Sequence, residues 1–164
     1  MQNNIISKIT QVMFSANTSV VKEGLWTLSN LTANGKEYTS AFVHSSAANR
    51  VVSLSMHENT NLKLEAAWVL ANTITCGSDD DIRALLMIDG GQVINSLLKV
   101  LSLKNYSLLV NIIEALTRLV QLGYKIEDLE LYFDQLKNCS NDKVFEAAQK
   151  LMEVNSEQEG IQDN

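Results

Sequence analysis

Proline is absent from this 164-residue sequence, and glycine occurs only seven times. Strand-rich folds spend both at their turns, so the shortage points to helices. Cysteine is scarce as well. Cys76 and Cys139 stand outside any CxxC pair, which excludes a disulfide framework or a zinc finger and makes a reducing compartment the default. No apolar run approaches the roughly 20 residues that span a bilayer, and Met1-Gln2-Asn3-Asn4 lacks the charged-then-apolar layout of a signal peptide. The chain reads as soluble and intracellular. Positive charge is short too: 13 Lys and Arg against 19 Asp and Glu leave a net charge of −6. That balance argues against nucleic acid and anionic membrane as partners and suits a basic one.

What the chain has in quantity is apolar residues. They form 46% of it, enough to build a core, and they recur with a long period. Lys22-Glu23-Gly24-Leu25-Trp26-Thr27-Leu28-Ser29-Asn30-Leu31-Thr32 is echoed by Glu65-Ala66-Ala67-Trp68-Val69-Leu70-Ala71-Asn72-Thr73, with Glu, Trp and Asn each 42 positions apart. Each copy is followed by a glycine, Gly35 or Gly77. Weaker copies begin at Asn111 and Glu146. A period near 40 to 47 with two or three helices per unit defines the armadillo and HEAT solenoids.

The segments between these anchors divide into short, medium and long helices, the armadillo order. The pattern predicts helices over 5–14, 19–33, 36–43, 47–56, 61–75, 79–88, 92–101, 106–122, 126–138 and 141–155. Ser78-Asp79-Asp80-Asp81 is read as a helix N-cap with acidic residues in its first turn rather than as a cation site. The expectation is an all-α, right-handed armadillo-type superhelix of three to four repeats, at about 1–34, 35–76, 77–123 and 124–155, with a fraying polar tail at 156–164. The first repeat lacks its short first helix and the last is reduced. A solenoid that begins mid-repeat leaves a core face to be covered, so the array is expected to continue upstream.

Successive residues of an α-helix turn by about 100°. Glu65, Trp68 and Asn72 therefore project from one narrow face, while Ala66, Ala67, Leu70 and Ile74 mark the opposite, core side. A Trp on the polar face, repeated in register with an Asn one turn later, reads as a concave ladder. A carboxamide pairs with a peptide N–H and C=O together. Neighbouring indoles make slots for Lys or Arg stems, each cation–π contact being worth roughly 0.5–2 kcal/mol.

These residues resemble the C-terminal armadillo repeats of importin-α, the adaptor that carries nuclear-localisation-signal cargo to importin-β. The stretches 22–32 and 65–77 look like that family's seventh and eighth repeats, and 109–123 and 144–153 like its ninth and tenth. The resemblance implies a non-enzymatic adaptor for basic nuclear localisation signals, shuttling between cytoplasm and nucleus. It carries Glu23, Trp26, Ser29, Asn30, Glu65, Trp68 and Asn72 over as the minor signal-binding site. Importin-β would be met through an N-terminal segment that nothing here matches. An export receptor and nucleoporins are the partners that the family's last repeats dock, and the acidic run Glu127, Asp128, Glu130, Asp134 is their candidate surface, although a solvated face explains it more simply.

Several positions depart from the family pattern. Gly24 replaces an alanine, at a cost in helix stability, and Ala71 replaces a Ser or Thr. The third rung reads Asn111, Glu114, Arg118, with the last two taken as a solvated i,i+4 ion pair. The rival readings are an armadillo scaffold for an unrelated signalling or cytoskeletal partner, a fragment that mainly docks an export receptor or nucleoporin, and an all-helical enzyme. No phosphate loop or catalytic pair supports the last: His44 and His57 read as surface residues without acid or nucleophile partners, and no cofactor is implied.

Overall fold

The computed structural model describes residues 2–162. Among them lie ten α-helices and no strand: α1 (Gln2–Met13), α2 (Thr18–Ala33), α3 (Lys36–Val43), α4 (Ser46–Ser55), α5 (Thr60–Cys76), α6 (Asp79–Leu86), α7 (Gln92–Val100), α8 (Tyr106–Gln121), α9 (Glu130–Lys137) and α10 (Asp142–Gln162). A 3-10 turn, Ile88–Gly91, joins α6 to α7.

With no proline to break the chain, caps and glycines punctuate it. Side chains of Asn17, Ser45, Asn59 and Asn105 each accept a backbone N–H in the following turn, at 2.9, 3.2, 3.0 and 3.3 Å. At α6, Ser78 and Asp81 form a reciprocal capping box, both backbone contacts at 3.2 Å. Gly91 and Gly123, both at φ 86°, take the left-handed conformation where the chain turns out of one helix and toward the next.

The long helices α2, α5, α8 and α10 lie side by side in chain order. Two cross-contacts fix the relation of the first pair. Asn72 reaches the Ser29 carbonyl and Cys76 approaches the Ala33 carbonyl, both across an offset of 43 residues, so α2 and α5 run parallel. The second layer is α1 against α2, α3 and α4, then α4 against α5 and α7. One continuous apolar cluster runs from Ile6 through Leu25, Phe42, Leu70, Ile82, Leu97 and Leu116 to Leu151. Three buried threonines recur in the long helices: Thr32, Thr73 and Thr117 each return their hydroxyl to the carbonyl four residues back, at 3.1, 2.7 and 2.8 Å. No polar group is orphaned by their burial.

Gly24 has a packing reason. A Cβ there would meet Val12 Cγ1 at 3.0 Å, so the missing methyl lets α1 approach α2.

The helix bounds mostly fall within one residue of expectation, and α1 starts at Gln2, three residues early; three further differences are larger or change the conformation. Helix α6 stops at Leu86 rather than at Ile88, where the 3-10 turn takes over. Helix α9 begins at Glu130, four residues later than expected, because Asp128 sits at φ 61°, outside the right-handed helix. Helix α10 continues to Gln162, so 156–162, expected to fray, are helical. The last two residues of that expected tail, 163–164, lie outside the described residues.

Candidate functional site

The seven residues singled out from sequence all sit on α2 and α5, the first two long helices of the row. Trp26 is 56% exposed. Trp68 is half-buried and packs against the core. The two indoles are thus not equivalent: the first turns more than half of its surface to solvent, and the second is mostly covered by the protein.

The carboxamides differ in the same way. Asn30 is exposed, and its Nδ2 donates to the carbonyl of Trp26, four residues back on its own helix, at 2.9 Å. Asn72 is half-buried and bridges three helices. Its Nδ2 donates to Ser29 O on α2 at 2.9 Å, while its Oδ1 accepts from Asn111 Nδ2 on α8 at 2.7 Å. Each end of this amide therefore still holds one unspent valence, a second N–H and a second lone pair.

Ser29 departs from its expected place among the ligand contacts. It is only 8% exposed, and its hydroxyl donates to Trp26 O at 2.8 Å. Its side chain is committed to the helix, and its backbone carbonyl holds Asn72. It shapes the ladder from beneath.

Glu23 and Glu65 come close enough to sense each other. Burial pushes the Glu65 carboxyl above the ordinary carboxylate range; the nearby Lys22 ammonium opposes this, and Glu23 adds to it. Lys22 therefore belongs to the site, although its sequence position beside Glu23 did not mark it as a partner of Glu65 on another helix.

The third rung is organised differently from expectation. Arg118 does not form a solvated pair with Glu114. Its Nη1 donates to Ile74 O at 2.9 Å and Thr75 O at 2.7 Å, and its Nη2 to Gly77 O at 2.9 Å and Asp79 Oδ1 at 3.3 Å. It closes the C-terminus of α5, where unsatisfied carbonyls and the helix dipole both favour a cation. Glu114 is exposed beside it, on an open groove that also takes in Thr75, Gln121 and Lys150. No aromatic side chain lines this part. Along the row, the surface changes from indoles with carboxylates to polar and charged side chains of both signs without an indole.

The histidines also have partners. His44 Nε2 lies 3.7 Å from Asp81 Oδ1. That carboxylate is buried, and its other oxygen accepts the Ser78 hydroxyl at 2.7 Å, so it serves the capping box. His57 Nδ1 accepts the Asn59 N–H at 3.0 Å in the turn before α5. Among the described residues no cluster of three His, Cys, Asp or Glu could hold a metal ion, and no helix is long and apolar enough to cross a membrane.

No family model matches this sequence, and no curated protein matches it. Solved structures do. A designed armadillo repeat protein in complex with the peptide (KR)4 superposes with a TM-score of 0.77 at 20% identity, over 92% of this chain and 64% of that one. A computationally designed armadillo repeat protein for modular peptide recognition gives 0.78 at 20% identity, over 96% of this chain and 68% of the other. A further designed armadillo repeat protein gives 0.74 at 17% identity, over 92% and 71%. The chain spans 64% of the length of the first of these. It is an all-α protein with the armadillo-type solenoid fold.

Proposed function

We propose that this chain is a non-enzymatic peptide receptor whose α2–α5 ladder takes an extended, lysine- or arginine-rich segment in the manner of the importin-α minor signal site, serving nuclear import between cytoplasm and nucleus. The observation that carries the reading is Trp26: an indole 56% exposed on α2, the helix that also carries Glu23, whose carboxylate is sensed by that of Glu65 on α5. Leaving so large an apolar face in water costs free energy unless a ligand covers it, and a flat indole one helical turn from the Glu23 carboxylate is shaped for an alkyl stem with a cationic tip. The remaining N–H and lone pair of Asn72 suit the peptide backbone. An extended strand advances about 3.3 Å per residue. Long helices packed roughly 8–10 Å apart would thus meet every second or third ligand residue. The likeness to a designed protein whose complex contains (KR)4 agrees with a basic ligand.

The test is a fluorescence-anisotropy titration of a labelled lysine-rich signal peptide against wild type and Trp26→Ala. Losing one cation–π and stacking contact should weaken binding roughly 3–30-fold, and raised salt should weaken the wild type as well. Equal affinity of the two proteins would remove the basis for the reading.

A further inference from the structure

We infer that Asn111, on α8, is a positioning residue that holds the Asn72 amide, for its peptide ligand, in the orientation that the Ser29 carbonyl sets; this rests on the receptor reading above. A carboxamide has two ends of opposite character, and rotating it by 180° swaps donor for acceptor. On α5, both ends of Asn72 are fixed from outside. The Ser29 carbonyl on one side takes an N–H at 2.9 Å, and a carbonyl can only accept. The Asn111 Nδ2 on the other side gives an N–H to Oδ1 at 2.7 Å, and an amide nitrogen can only donate. The Ser29 carbonyl, which can only accept, therefore sets which end of Asn72 is which, and the Asn111 amide takes the matching orientation and adds a second bond that holds it there. Asn30 has no such bracket in its contacts: its amide nitrogen is tied to its own helix, at the Trp26 carbonyl.

The consequence is an amide whose turning is opposed at both ends. Its second N–H and second lone pair lie in fixed order along the row, so a peptide residue can meet both with one geometry only. Pre-setting that order spares the ligand complex the entropy of fixing it. Asn111 thereby takes part in binding without the aromatic companion that the first two rungs have, which explains why an Asn serves on α8 although the indole ladder stops at Trp68.

Charge separates this role from a general electrostatic one. Asn111→Asp adds a negative group near a basic ligand, and by Coulomb's law alone it should tighten binding. As a carboxylate it only accepts, so it faces Asn72 Oδ1 with the wrong character and drives the amide to turn. The Ser29 carbonyl then resists the turned state. Orientation predicts weaker binding, and charge predicts stronger.

The experiment titrates the lysine-rich peptide into wild type, Asn111→Asp and Asn111→Leu, with circular dichroism confirming that each is folded. Asn111→Leu keeps the side chain's branching and heavy-atom count and removes the donor, and it stands in if the Asp variant does not fold. The expected result is a loss of about three- to tenfold for Asn111→Leu, the scale of one neutral hydrogen bond, and an equal or larger loss for Asn111→Asp. A wild type that binds while both variants match it, or an Asp variant that binds more tightly, would overturn the positioning role and leave the receptor reading standing. A wild type that binds no basic peptide would overturn both.

Discussion

Arg118 on α8 donates to the carbonyl of Thr75 on α5 at 2.7 Å, and the same guanidinium reaches Ile74 and Gly77. One side chain therefore closes a neighbouring helix that its own backbone cannot finish. Arg118→Ala should cost about 2–3 kcal/mol, the scale of charged hydrogen bonds to helix-end carbonyls. For a chain of this size that corresponds to a fall in Tm of roughly 4–12 °C. Arg118→Lys should recover less than half, because an ammonium carries its three donors on one nitrogen and lacks the planar fork by which Nη1 and Nη2 reach separate carbonyls. Differential scanning fluorimetry of the three proteins decides it; a lysine variant as stable as wild type would reduce the contact to simple charge.

The two indoles should separate stability from binding. Trp26 is largely exposed, so Trp26→Ala should leave stability within about 0.5 kcal/mol of wild type while weakening peptide binding. Trp68 packs against the core, and Trp68→Ala should lower stability by about 2 kcal/mol in urea denaturation. A binding loss in the second variant is interpretable only beside its stability. The first gives the cleaner reading.

How far the sequence carried can be judged from these same residues. The helices, the cap at Ser78, and the alignment of Trp26 with Trp68 were legible, because they depend on spacing within one helix and on local cap chemistry. Contacts between helices were not. The Asn72–Ser29 and Arg118–Thr75 bonds depend on an inter-helix register near 43, which the copies approach at 42 and 46 without revealing it. Glu114 and Arg118, read along their own helix, made an obvious pair. The carbonyls of α5 outbid Glu114 because a helix end offers several acceptors to one guanidinium. The tail was misread for a related reason: its polar composition suggested fraying, yet Glu and Gln are good helix formers and α10 is anchored upstream against α8 and α9.

Asn72→Ala should expose the cost of the three-helix bridge. It strips the Ser29 carbonyl and the Asn111 amide of their shared partner, both in half-buried or buried surroundings. A loss of about 1–2 kcal/mol is expected in chemical denaturation, with Asn30→Ala, which removes only an exposed bond within its own helix, below about 0.5 kcal/mol. Equal effects would mean that water replaces the bridge at no cost.

Glu65 supplies a pH dependence whose sign follows from its surroundings. Burial, and to a lesser degree Glu23, raises its carboxyl above the ordinary range, against the opposing pull of Lys22. The folded chain therefore holds this proton more tightly than the unfolded chain does. Its contribution to stability is favourable on the acid side and is lost as pH rises from the ordinary carboxylate range through the raised folded value. Glu65→Gln should accordingly be more stable than wild type at neutral pH, with the gap closing as pH falls through that window. Ligand binding should run the other way. A lysine or arginine tip beside Glu65 favours the ionised form, so peptide affinity should drop as pH falls through that same window, and complex formation inside it should release protons. Calorimetric titrations in two buffers of different ionisation enthalpy measure that release directly. Affinity and proton count that stay constant across the window would place the cationic tip away from Glu65.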